Sequence, residues 1–174
     1  VQLWEHLDYL GGERHEYLME KFAPGAVYHV DALTTEGNVV FSRVSQYLDT
    51  PFEVAHGGGI FRSATLESGS EDDVALRKLN EDVMRAFGMK YSASHTEFIK
   101  CNEDGKYYFL ETASRVGGAH LAEMVESASG INLWAEWAKI DNQALERKGF
   151  NERIDHRSYA ERGTEQLPTQ KLGW

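Results

Sequence analysis

Residues 94–121, SHTEFIKCNEDGKYYFLETASRVGGAHL, decide how the rest of the chain is read. Two alternating runs, Ser94 to Lys100 and Lys106 to Ala113, flank a turn near Asn102 to Gly105. An Asp-Gly pair punctuates that turn, so the stretch reads as a β-hairpin. Side chains alternate between the faces of a strand, which groups His95, Glu97 and Ile99 together. On the return strand it groups Tyr107, Phe109, Glu111 and Ala113. Pairing Ile99 with Phe109 then sets Glu97 opposite Glu111. Like charges so placed, with Cβ atoms about 5 Å apart, repel. A raised pKa on one partner, a nearby Arg or Lys, or a bound cation would resolve the conflict. Mg²⁺ takes carboxylate oxygens and shares the rest of its shell with water and phosphate. Arg115 follows on the same parity, and Gly117-Gly118 opens what reads as a helix, whose free N–H groups favour an anion. Two carboxylates, an arginine and a glycine pair predict a metal-bridged phosphate site. Ordinary surface charge on a solvent-facing strand is the alternative.

The remainder of the chain supplies elements around this hairpin. Ser70 is a good N-cap, and Glu71, Asp72 and Asp73 suit the positive end of a helix dipole. Leu76, Leu79, Val83 and Phe87 form that helix's apolar stripe, and Gly88 ends it. Val27 to Leu33 and Asn38 to Tyr47 alternate as a second hairpin joined at Thr35 to Gly37. Tyr28, Val30 and Ala32 fall on one face of its first strand, and Val27, His29, Asp31 and Leu33 on the other. A short helix is expected over Val1 to Leu10, a strand over Glu16 to Phe22, and another over Ile60 to Leu66. Gly57-Gly58-Gly59 lacks the strand before and helix after that a phosphate loop requires, and reads as a flexible connection. Helices follow over Gly118 to Ala128, with Leu121, Met124, Val125 and Ala128 inward, and over Ile131 to Arg147, with Leu133, Trp137, Ile140 and Ala144 inward. Trp134 and Trp137 read as core residues. Gly149 to Trp174 is charged and poorly periodic, with a strand expected only near Ser158 to Glu161 and a tail from Arg162. The expected fold is one α+β domain over residues 1–174, an antiparallel sheet flanked by helices, with 162–174 as a tail or linker.

Composition narrows the function classes. A chain of 174 residues is long enough for one domain with a real core. Its formal net charge of -10 argues against nucleic-acid binding and gives no support to an anionic membrane surface. Acidic balance is compatible with phosphate chemistry, because local Lys, Arg and Mg²⁺ can handle the phosphates. Cys101 is the single cysteine, so no internal disulfide forms and a reducing, cytoplasmic setting is the default. No apolar run reaches the length of a membrane span.

The run HTEFIKCNEDGKYYFLETASRVGG resembles the carboxyl-terminal signature of the ATP-grasp superfamily: an acidic strand, a turn, then a strand ending in Glu-x-Asn-x-Arg with glycines after it. Biotin carboxylase, carbamoyl-phosphate synthetase and amino-acid ligases carry versions of it. The resemblance implies that Glu97 and Glu111 hold Mg²⁺ (or Mn²⁺) against the phosphates of ATP. It implies that Arg115 faces the transferred phosphoryl group or the substrate carboxylate, with Gly117, Gly118 and His120 on the substrate side. The usual Asn is Ala113 here, one metal ligand fewer. MEKFAPGAVYHVDALTTEGNVVF resembles the family's interdomain hinge and following hairpin, which implies adenine contacts from Glu20, Lys21, Phe22 and Ala23, with His29 and Ile99 as further nucleotide contacts. The likeness runs from about Tyr17 to Ile140. The family's lysine-bearing strand and small-residue loop lie upstream of the hinge, so the implied protein is the carboxyl half of a longer ATP-grasp enzyme, partnered by an upstream segment of the same parent chain. The implied reaction activates a small-molecule carboxylate as an acylphosphate for attack by an amine or other nucleophile. A carboxylase-type member that phosphorylates bicarbonate, and a catalytically silent binding domain, are the alternatives.

Overall fold

The computed structural model describes residues 20–49, 54 and 56–147. The strand most deeply set is β1, Gly25–Thr35, whose middle is buried on both faces. Alternation explains this: Tyr28, Val30 and Ala32 enter one apolar cluster, while Leu33 enters another on the opposite face. β1 turns into β2, Asn38–Tyr47, through Glu36 and Gly37, both at positive φ. That is the two-residue turn whose twist matches a hairpin. β3 is short, Ser63–Thr65. β4, Ser92–Cys101, and β5, Tyr107–Ala113, form the second hairpin. All neighbours are antiparallel, in the order β3-β2-β1-β4-β5.

Helices cover both faces. α1, Glu71–Ala86, is capped by the Ser70 hydroxyl, which accepts from the Asp73 amide at 3.3 Å. It packs Leu76, Leu79 and Val83 on Tyr28, Val30, Val44 and Phe98. Asp72, in its first turn, accepts from Lys100 Nζ at 2.6 Å and from the Tyr28 and Tyr107 hydroxyls, which ties the helix start to β1, β4 and β5. α2, Leu121–Ser129, and α3, Leu133–Arg147, lie on the other face. There Val116, Ala122, Val125, Leu133 and Ile140 close over Leu33 and Ala93. This apolar layer ends at the Leu33–Ala93 pair. The next two pairs along β1 and β4 on the same face are Asp31–His95 and His29–Glu97, so the sheet passes from core to polar site within two residues.

The sequence expectations hold for both hairpins, for α1 and for the two last helices, with several corrections. Of the strand expected over Glu16 to Phe22, residues 16–19 lie outside the described residues and Glu20 to Phe22 is not strand. The strand expected over Ile60 to Leu66 shortens to Ser63–Thr65. α2 begins at Leu121, because Ala119 and His120 both sit at positive φ and break the helical path after the glycine pair. Phe87 and Trp134 are exposed rather than core, and Ala128 is also exposed. The elements expected over Val1 to Leu10 and Ser158 to Glu161, and the tail from Arg162, lie outside the described residues.

The register of β4 and β5 carries the largest correction. Glu97 does face Glu111. Ile99, however, pairs with Tyr108, and Phe98 with Phe109, because a bulge interrupts the ladder between Glu97 and Phe98. One extra residue on one strand moves every later side chain to the other face. Tyr107 and Phe109 therefore share the α1 face with Phe98, while Glu111 and Ala113 share the opposite face with Glu97 and His95. The packing explains the shift. Phe109 meets buried Phe98 edge-on at 6.2 Å, and the Tyr107 hydroxyl reaches Asp72.

Candidate nucleotide and metal site

Four side chains from β1 and β4 build a buried polar chain. Asp31, fully buried, accepts from His29 Nδ1 at 2.8 Å through one oxygen and from His95 Nδ1 at 2.9 Å through the other. His95 turns its Nε2 to Glu97 Oε1 at 3.4 Å, and the Tyr47 hydroxyl donates to the same oxygen at 2.9 Å. His29 Nε2 meets the Ser63 hydroxyl at 2.7 Å, which also bonds the Gln46 carbonyl. Tyr47 lies against the His29 ring, with centroids 4.7 Å apart.

The electrostatics follow from this wiring. Burial alone would raise the Asp31 carboxyl, but hydrogen bonds and charge from His29 and His95 outweigh it and hold the pKa at about 2. Burial would likewise depress His95, yet its bonds to Asp31 and Glu97 lift it to about 9. Glu97 is held below its usual value, its burial overcome by the His95 and Tyr47 bonds. His95 is thus a buried cation between two anions. It supplies a reason, besides any bound ion, why Glu97 tolerates Glu111.

Gly117 closes this arrangement from the loop before α2. A Cβ on it would stand 2.7 Å from Asp31 Oδ1 and 3.1 Å from His95 Nδ1. The trio His29, Asp31 and His95 brings one ligand atom each within 4.8 Å of one another, as a metal cluster would. Both Asp31 oxygens already accept an imidazole N–H, however, and Gly117 leaves no room for even a methyl group. The trio is satisfied by its own protons.

Glu97 Oε2 and the exposed Glu111 carboxylate present a different chemistry. Neither has a hydrogen bond or ion pair among the described residues. They sit side by side at one rung of the sheet, and Glu97 lines a cavity of about 780 Å³, of whose wall Glu111 is not part. Tyr47, Phe61, Arg62, Glu97, Arg115 and His120 are among the residues that line it. Free, anionic, hard oxygens of this kind fit Mg²⁺ or Mn²⁺. Arg115 is exposed, and among the described residues its guanidinium bonds only the Val116 carbonyl, at 3.1 Å, which leaves its other N–H groups for an anion. Arg62 is tied to Asp49 at 2.6 Å.

The expected site residues divide into those the structure gathers and those it does not. Glu97, Arg115, Gly118 and His120 meet at the cavity, with Glu111 at the rung beside them. Ile99, half-buried, lies two residues further along the Glu97 face. Glu20, Lys21 and Phe22 are exposed ahead of β1, and Ala23 half-buried, all outside the cavity wall. His29 is fully buried with both ring nitrogens engaged, and Gly117 is buried against Asp31 and His95, so neither faces the cavity. Asp31, Tyr47 and His95 were missed as site residues. The signal was present in part: alternation puts His29 with Asp31, and His95 with Glu97, but only pairing β1 with β4 shows that the two polar faces coincide.

The described residues form an ATP-grasp fold. L-amino acid ligase from Bacillus licheniformis superposes with a TM-score of 0.53 at 24% identity, covering 64% of this chain and 28% of that one. D-alanine–D-alanine ligase from Bacillus anthracis, complexed with ATP, gives 0.54 at 13% identity over 74% of this chain and 42% of that one. The L-arginine-specific L-amino acid ligase of Bacillus subtilis is 25% identical over 118 residues, 67% of this chain and 28% of that protein. A family model described as the MobA/MobL family matches residues 74–174, more than half of the sequence, and the chain belongs to that family. Mobilization protein MobL of Acidithiobacillus ferridurans is 54% identical over 37 residues, 21% of this chain and 10% of that protein. The chain therefore spans about a tenth and about a quarter of the curated relatives it matches. The family match begins within α1 and runs through β4, β5, α2 and α3; its residues 148–174 lie outside the described residues.

Proposed function

We propose that residues 20–147 form the ATP- and Mg²⁺-binding portion of an ATP-grasp ligase that activates a small-molecule carboxylate as an acylphosphate for attack by an amine or other nucleophile. The observation that carries this reading is the Glu97–Glu111 rung, of which Glu97 lines the cavity together with Arg115. A divalent cation bound there would supply charge neutralisation for the nucleotide phosphates. Glu97 and Glu111 would hold it, and Arg115 would steady the charge that develops as the carboxylate takes the phosphoryl group. Positioning and charge neutralisation are most of what phosphoryl transfer requires. Ile99 leads from Glu97 towards the hinge residues Glu20 to Ala23, about 7 Å along the strand, and would carry the adenine between them. Gly118 and His120 would meet the carboxylate substrate. An upstream segment of the parent chain would complete the grip on the nucleotide, and the setting would be cytoplasmic. Within the described residues, no helix is long and apolar enough to cross a membrane.

Calorimetry with ATP, with and without Mg²⁺, tests the reading. The expected result is Mg²⁺-dependent heat that Glu111→Ala abolishes while the melting temperature stays within about 2 °C, as for an exposed side chain with no partner to lose. Unchanged Mg²⁺-dependent binding in Glu111→Ala would remove the metal assignment.

A further inference from the structure

We infer that Tyr47 and His95 are positioning residues that make Glu97 a one-oxygen ligand, and that this clamp selects a small octahedral divalent cation over a larger one. The inference rests on the nucleotide-site reading above. Both bonds to Glu97 fall on Oε1, from the Tyr47 hydroxyl at 2.9 Å and from His95 Nε2 at 3.4 Å, while Oε2 is left over. A carboxylate gripped in this way cannot swing to chelate through both oxygens without losing the tyrosine bond.

The grip is itself braced. His95 is fixed from behind by Asp31 at 2.9 Å, and the Tyr47 ring lies on His29, which Asp31 fixes through its other oxygen. One buried aspartate thus sets the position of both donors. Glu111, from β5, is free of this system and enters from the neighbouring strand.

The coordination consequence follows from ion size. Mg²⁺ asks for six oxygens at short, near-octahedral distances and keeps waters and phosphates in its shell, so single oxygens from two carboxylates suit it. Ca²⁺ takes six to eight ligands and gains from bidentate carboxylates. A clamped Glu97 withholds the second oxygen that Ca²⁺ would use. Tyr47 and His95 would act on the choice of ion without touching it.

The test is the affinity of the unmodified chain for ATP, by calorimetry, in Mg²⁺, Mn²⁺, Ca²⁺ and Sr²⁺ at equal concentration. Affinity should fall with ionic radius, with Ca²⁺ at least about tenfold weaker than Mg²⁺, the scale of one charge-assisted hydrogen bond. In Tyr47→Phe, which keeps the ring and removes only the donor, the Mg²⁺-to-Ca²⁺ gap should narrow by about that factor. Equal Ca²⁺ and Mg²⁺ affinity in the unmodified chain overturns the inference even if Tyr47→Phe fails to fold. A folded Tyr47→Phe with the gap unchanged, alongside a Glu97→Gln variant that loses metal-dependent binding, overturns the clamp and leaves the site reading intact. No metal-dependent binding in the unmodified chain, or full binding in Glu97→Gln, overturns the site reading and the clamp with it.

Discussion

Asp31 is the side chain on which the site's geometry turns, and its burial makes it sensitive to pH. Its folded pKa of about 2 lies below the ordinary 3.8, so its contribution to stability is present above pH 3.8 and fades as pH falls through 2. His95 runs the other way. Its folded pKa of about 9 lies above 6.5, so its contribution is whole below pH 6.5 and is lost as pH rises through 9. These two groups place the stability plateau between about pH 4 and 6.5. Thermal melts across pH should show a loss of roughly 5 °C or more between pH 6.5 and 9.5; a flat profile there would mean that His95 does not carry the buried charge. Gly117 gives a second check at the same scale. Gly117→Ala drives a methyl group into Asp31 and His95, and overpacking of this kind costs about 1–3 kcal/mol. The variant should melt lower, and its alkaline fall should begin at lower pH as the Asp31–His95 bond lengthens. An alanine variant with the parent's melting temperature would show that the loop before α2 yields freely.

The elements show which parts of this design were legible in the chain and which were not. Both hairpins and α1 could be read because their signals are local: alternation, a two-residue turn, a serine cap. The Glu97–Glu111 rung was reached through a wrong neighbouring pair: the turn sets Ile99 opposite Tyr108, a register that would leave Glu97 opposite Leu110, and the bulge between Glu97 and Phe98 brings Glu111 there instead. That bulge was not legible. Phe98 and Phe109 belong on the α1 face because α1 packs there, and no property of residues 94–121 alone announces that contact. The buried Asp31–His95 pair lies still further from view, joining side chains 64 residues apart through the β1–β4 pairing. The same logic predicts how α1 is held. Asp72 takes hydrogen bonds from Tyr28, Lys100 and Tyr107, so a single residue in its first turn fastens the helix to three strands. Its partial exposure discounts each bond. Asp72→Ala should still cost about 1–2 kcal/mol, more than removal of an isolated surface ion pair. Chemical denaturation would measure it, and a loss under 0.5 kcal/mol would show that apolar packing alone seats the helix.

Over the whole molecule, charge is the property that separates its two kinds of likeness. The MobA/MobL match covers residues 74–174, and the described residues within it belong to the same folded unit as residues 20–49. The physical properties favour a small anion held by local cations. Formal net charge is -10, and of the cavity's two arginines Arg62 is paired with Asp49 while Arg115 shares the wall with Glu97. Under the proposed reading, Mg²⁺ and Arg115 would meet a nucleotide's phosphates there at close range. A duplex would not be held so, because its phosphates extend far beyond that reach and meet uncompensated negative charge. Fluorescence anisotropy with labelled duplex DNA at physiological salt should therefore show no binding at protein concentrations up to about 100 µM, the weak end of non-specific association. ATP with Mg²⁺ should bind under the same conditions. Duplex binding that strengthens steeply as salt is lowered would reveal a cationic surface outside the described residues, and would shift the functional weight from the nucleotide pocket to that surface.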